Sequence, residues 1–181
     1  MIELHTMAPA WGLPTFTPFG LKLMAHMRMA SLPFVVVVEH NPTRGPTGKF
    51  PWIVDDGVAI GDSAVVVEHL RSKGHDVDAW LSSEQRAVAH VVRRTVEEGL
   101  CFVLLHLRWV DEATFVAATN VALAAMPGPV RSVARHVIRR RILRDLWGQG
   151  VARLAPERVL AIGRADLDAL DALLDDKEFI F

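Results

Sequence analysis

The chain has 181 residues and a formal charge of −1. That length buries roughly 70% of the unfolded surface, enough for one large domain or two small ones, and the charge argues against wholesale nucleic-acid binding. One cysteine, Cys101, excludes an internal disulfide; no Cys/His cluster has zinc-site spacing, and neither a secretory signal nor a membrane-spanning run is visible, so a soluble protein of the reducing cytoplasm is expected.

Ile2 to Thr6 reads as a strand, followed by an entry loop at Leu13 to Phe16 that contains Pro14. Thr17-Pro18 has the form of an N-cap with proline at the first helical position, and Phe19, Leu23, Met27 and Ala30 make a helical stripe that ends near Pro33. Phe34 to Val38 is predicted as a strand buried on both faces, because a short β-branched run needs no alternation when both faces are covered. After a loop rich in Pro, Gly and Thr over 41–48, Pro51 opens a β-run and Asp56-Gly57 marks a hairpin turn. Asp62-Ser63 then stands where a helix carrying Val65 to Leu70 should begin. The order fits a compact α/β layer over residues 1–73.

Beyond a boundary at 74–79, residues 80–181 are helical in pattern. Ser83 is predicted to cap a long helix with Val88, Val92, Val96, Gly99 and Val103 on one face. Pro127-Gly128-Pro129 breaks the pattern, a basic helix follows from Val130 to Trp147, Gly148-Gln149-Gly150 stops it, and Pro156 to Leu174 makes another helix. Arg131, Arg135, Arg139, Arg140, Arg141 and Arg144 spread around the basic helix, which reads as a solvated face paired with acids rather than a phosphate or lipid site.

A helix starting at Ser63 would offer free N–H groups, a hydroxyl and a positive dipole end to a carboxylate, with Asp62 beside it for an ammonium. The pair fits the head of an α-amino acid. The alternative is that Asp62 only caps the helix.

Three stretches carry a family likeness: Thr17-Pro18-Phe19-Gly20-Leu21-Lys22-Leu23 with Arg28-Met29-Ala30; residues 48–70; and Trp147-Gly148-Gln149-Gly150-Val151 leading to Ile162-Gly163 and Asp166-Leu167. On these the chain resembles the glutathione transferases, in the branch of metaxins and failed-axon-connections proteins. The resemblance implies a thioredoxin-like glutathione-binding domain and an all-α transferase C-terminal domain. That second domain reads as shortened, because relatives continue past Phe179, Ile180 and Phe181; these three would need cover from a partner, a dimer mate or further residues. The same likeness implies a cis Pro51, a Phe50 backbone paired with the cysteinyl part of glutathione, and Asp62 and Ser63 on its γ-glutamyl end. Lys49 either meets the glycyl carboxylate or lies in solvent. Glutathione as co-substrate, a small hydrophobic electrophile and a homodimer are the implied partners.

Members of the family activate the glutathione thiol with a Tyr, Ser or Cys near the start of the first helix, yet this chain has no tyrosine and its cysteine lies in the helical half. Thr17, aligned with the residue that opens the Ser/Cys-Pro-Phe motif, is the first candidate to stabilise a thiolate and Thr15 the second. For Thr17, capping alone is an equal alternative, since β-branching restricts where its hydroxyl points. Many relatives have cysteine at the position of Gly20, so disulfide exchange there is excluded. The expected function is conjugation of glutathione to a small electrophile, or use of its thiolate on one; the alternative is a non-catalytic, metaxin-like interaction module with a vestigial site.

Overall fold

Leu4 and Ile53, both wholly buried, lie opposite each other at the centre of a four-stranded mixed sheet. The computed structural model describes residues 1–124 and 126–181 in two compact units, Met1–Trp80 and Leu81–Phe181. In the first unit the strand order is β2-β1-β3-β4, with β1 (Ile2–Thr6) parallel to β2 (Phe34–Val38) and antiparallel to β3 (Trp52–Asp55), which pairs antiparallel with β4 (Val58–Gly61). Strand alternation sends Ile2, Leu4 and Ile53 to one face. There they meet Leu23, Met24 and Met27 of α1 (Pro18–Met29) and Val66, Val67 and Leu70 of α2 (Ser63–Ser72). Each such side chain contributes about 1.5–3 kcal/mol relative to exposure.

The hairpin turn lies where expected. Asp56 and Gly57 have φ of 50° and 79°, the two positive values that a two-residue turn matching strand twist requires. It is tied to the end of α2: the buried Asp55 carboxylate accepts from Lys73 Nζ and His69 Nε2, each at 2.8 Å, and Lys73 also reaches Asp56 at 2.9 Å. Those two donors hold the Asp55 carboxyl below its ordinary range, Lys73 most strongly.

β2 departs from expectation. It is an edge strand, with Val35, Val36 and Val38 exposed by 38%, 43% and 46%, because a loop holding only the 3-10 turn Pro42–Arg44 connects it to β3 and leaves its outer side uncovered. On the sheet face away from the helices, the rings of His5 and Trp52 stack at 5.0 Å and those of Trp52 and Phe50 at 5.4 Å. Gly45 seats this loop on the indole: a Cβ there would stand 2.4 Å from a Trp52 ring carbon.

The second unit is all-helical. α3 (Ser83–Arg94) is capped by Ser82, not Ser83, in a reciprocal capping box with Gln85. It runs through a π-helical segment, Thr95–Leu100, into α4 (Cys101–Trp109). The wider π turn rotates the stripe out of phase. Val96 is therefore 43% exposed while Val103 is buried. α5 (Glu112–Ala122), α6 (Gly128–Gln149) and α7 (Pro156–Leu174) complete the unit, and Gly150, at φ 112°, ends α6 in the left-handed conformation.

Val103, Leu146, Val151 and Val159 form its core. Two glycines set the approach of α7: a Cβ on Gly163 would lie 2.8 Å from Val103, and one on Gly99 2.9 Å from Asp166. Arg139 staples α6 to its neighbours through Glu112 and the carbonyls of Trp109 and Val110, with its guanidinium 4.4 Å from the centre of the Phe115 ring. Trp109 is buried beside the Phe115 ring, whereas Trp147 is 58% exposed. Phe179 is 68% exposed.

Candidate functional site

The end of the sheet at which α2 begins gathers the predicted residues. The pairing of Trp52 with Gly61 carries Phe50 and Pro51 alongside Asp62 and Ser63, and the Phe50–Pro51 peptide bond is cis. Neither the N–H nor the C=O of Phe50 is taken by a backbone hydrogen bond among the described residues, so both are available to an extended ligand backbone. Pro51 is buried, Phe50 half-buried and Lys49 exposed on the preceding loop.

Asp62 caps α2 through Oδ1, which accepts from the N–H groups of Ala64 at 2.8 Å and Val65 at 3.4 Å. The residue is exposed and has φ 71°, ψ 124°, a conformation that costs a non-glycine residue on the order of 1–3 kcal/mol and tends to accompany function. Capping and ligand contact do not compete here, since both capping bonds go to one carboxylate oxygen. Ser63 is 6% exposed, and its Oγ accepts from Lys22 Nζ at 3.1 Å.

Lys22 was not foreseen as a site residue. Its signal in the sequence is faint: an isolated lysine in the second turn of α1, among Leu21, Leu23 and Met24. The fold turns that lysine onto the N-terminus of α2, adding a full positive charge to the dipole end and the serine hydroxyl. A carboxylate placed there would meet three kinds of donor at once.

The threonines divide into two kinds. Thr15 is 1% exposed; its hydroxyl lies 3.0 Å from Thr6 Oγ1 and accepts the Thr17 N–H at 3.3 Å, so it holds the loop rather than facing outward. Thr17 occupies the N-cap position of α1 but makes no side-chain capping bond, and its Oγ1 has no hydrogen-bond partner among the described residues. Its methyl lies toward Gly20, 3.0 Å from where a Cβ would be. The hydroxyl is thus uncommitted at the positive end of a helix. Gly20 itself is closed to larger residues, because an added Cβ would lie 2.3 Å from Thr6 Oγ1. Cys101, at the start of α4, belongs to the other unit.

The family whose profile matches, described as the glutathione S-transferase N-terminal domain, spans residues 18–114. The isoprene-epoxide–glutathione S-transferase of Rhodococcus sp. (strain AD45) is 36% identical over 99% of this chain and 79% of its own length. Mouse metaxin-1 is 30% identical over 71% of this chain, which spans 41% of that longer protein. Among solved structures, the beta-etherase LigF of Sphingobium sp. strain SYK-6 superposes with a TM-score of 0.64 at 15% identity, covering 99% of this chain and 75% of that one. This chain belongs to the glutathione S-transferase family. The expected architecture, a thioredoxin-like α/β unit followed by a helical one, is the one observed.

Proposed function

We propose that this protein is a glutathione transferase that joins glutathione to a small hydrophobic electrophile, acting as a homodimer in the cytoplasm. The observation that carries the reading is the convergence of Lys22, Asp62 and Ser63 on the start of α2, with the unpaired backbone of Phe50 alongside. In this reading Ser63 and Lys22 take the γ-glutamyl carboxylate and Asp62 the α-ammonium group. Phe50, turned outward by Pro51, pairs with the cysteinyl backbone, and Lys49 takes the glycyl carboxylate.

Thr17 Oγ1 donates a hydrogen bond to the sulfur and favours its thiolate, while Thr15 fixes the backbone of Thr17. The thiol proton leaves to solvent, the thiolate attacks carbon to form a thioether, and a proton neutralises the leaving atom. The Rhodococcus relative is named for an epoxide substrate, so an epoxide is the first electrophile to try: the C–O bond opens and its oxygen is protonated.

Calorimetric titration of the protein with glutathione, beside Asp62→Ala, tests the site. Saturable binding that the variant loses, followed by turnover of an epoxide, is the expected result; absence of binding by the parent protein would sink the proposal. The second reading is a metaxin-like interaction module. It draws support from a threonine where the family usually places a stronger activator, and it predicts a stable protein partner with no turnover.

A further inference from the structure

We propose that the outward face of α6 is a docking surface for an anionic lipid bilayer. The helix carries six arginines and a single acid, Asp145, a local charge of +5 in a chain of net charge −1. Two of the arginines are committed to the fold, Arg139 as described and Arg135 to Asn120. At 3.6 residues per turn, Val130, Val133 and Val137 fall on the same outward side as Arg140, Arg141 and Arg144.

The valines are 55%, 66% and 59% exposed, and the three arginines are exposed beyond them. Neither Arg140 nor Arg141 meets an acid among the described residues, and Arg144 reaches only its neighbour Asp145 at 3.5 Å, an exposed pair that stabilises little. One turn further, Trp147 is largely exposed, with the Arg153 guanidinium 5.5 Å from its ring centre. The six arginines do spread around the helix, but on this outward side the valines and the three arginines follow one another along the axis.

That combination selects among occupants. A nucleic acid would satisfy the arginines but set the valine ridge against phosphates. A second copy of this face, packed antiparallel, would seat valine on valine but leave Arg140, Arg141 and Arg144 without acids to meet. The surface of an anionic bilayer accepts both halves, guanidinium groups among the headgroups and valine methyls with the indole at the acyl boundary.

The test is co-sedimentation of the full chain with vesicles of phosphatidylcholine alone and of phosphatidylcholine containing phosphatidylserine. Binding to the second, weakened by salt and absent with the first, is expected. Combined Arg140→Gln, Arg141→Gln and Arg144→Gln should lower the partition coefficient about a hundredfold, at about fivefold per charge. Val133→Ser with Val137→Ser should weaken it at unchanged charge. All five side chains are exposed, so thermal melts of the variants should match the parent. No sedimentation with the anionic vesicles, equal sedimentation with neutral ones, or an unaffected arginine variant would overturn the proposal. Retention on heparin or an acidic polypeptide without vesicle binding would overturn it as well, in favour of a nucleic acid or a protein.

Discussion

Lys22 and Ser63 lie 41 residues apart in sequence, and Lys22 Nζ donates to Ser63 Oγ across 3.1 Å, joining the first helix to the N-terminus of the second. The bond places a cation over the one helix start in the first unit that a serine hydroxyl also serves. If a carboxylate binds there, Lys22→Met should weaken glutathione about tenfold to a hundredfold, the range for a hydrogen bond to a charged group. Ser63→Ala should weaken it less. Calorimetry on both variants checks this, and an unchanged affinity in Lys22→Met would remove the lysine from the site.

Thr17 and Thr15 should separate in kinetics and stability. Thr17→Val leaves the fold and the affinity for glutathione near their parent values while lowering kcat by tenfold or more, because a thiolate loses its donor. Thr17→Ser retains activity. Thr15→Val instead lowers the melting temperature, since Thr6 Oγ1 and the Thr17 N–H both lose a buried partner. Ultraviolet absorbance of bound thiolate against pH reports the first effect directly: the apparent thiol pKa rises in Thr17→Val and stays put in Thr17→Ser.

Gly20→Ala should destabilise the first unit by about 1–3 kcal/mol, through the collision of the new methyl with Thr6 Oγ1. Removing the obstacle tests the cause. Thr6→Ala in the same chain should restore part of the loss, so that the two substitutions cost less together than the sum of each alone. Strict additivity in chemical unfolding would refute the steric explanation.

Two acid-sensitive contributions to stability should appear at different pH. Burial holds His26 below the ordinary histidine value of 6.5; Lys22 and Arg71 act in the same direction, and Asp78 and Asp76 against it. The unfolded chain therefore takes up this proton first, and stability declines as pH falls below 6.5. His26→Gln should flatten that limb. Asp55, held low by Lys73 and then His69, contributes above the ordinary aspartate value of 3.8 and loses its contribution as pH falls through its lower folded value. Lys73 is raised by Asp55 and Asp56, so its share persists below 10.5 and disappears as pH rises through its folded value. Asp55→Asn should remove both the deep-acid limb and most of the alkaline one, as read by thermal melts across pH.

Much of this was legible in the residues because local chemistry specified it. Asp56-Gly57 permits few alternatives to a tight hairpin, Pro18 and Asp62 mark helix starts, and Gly150 marks a helix end. What escaped depends on distant segments. Val35 to Val38 reads as buried from its composition, yet strand order puts it at an edge. The phase of the Val88 to Val103 stripe is correct locally and is lost in the π turn, which no residue type announces. Lys22 has no local signature, because its role exists only once α1 crosses the start of α2. The commitment of Thr15 likewise rests on Thr6, nine positions upstream.

The contact between Gly20 and Thr6 also bears on how this lineage could change. A cysteine at position 20 would arrive with its Cβ inside the Thr6 hydroxyl, so thiol chemistry at that spot lies two ordered substitutions away. Position 6 must shrink first. Taken in the other order, the path crosses a less stable intermediate that marginal stability tolerates poorly, and the hydroxyl-based chemistry proposed for Thr17 would to that extent be self-preserving.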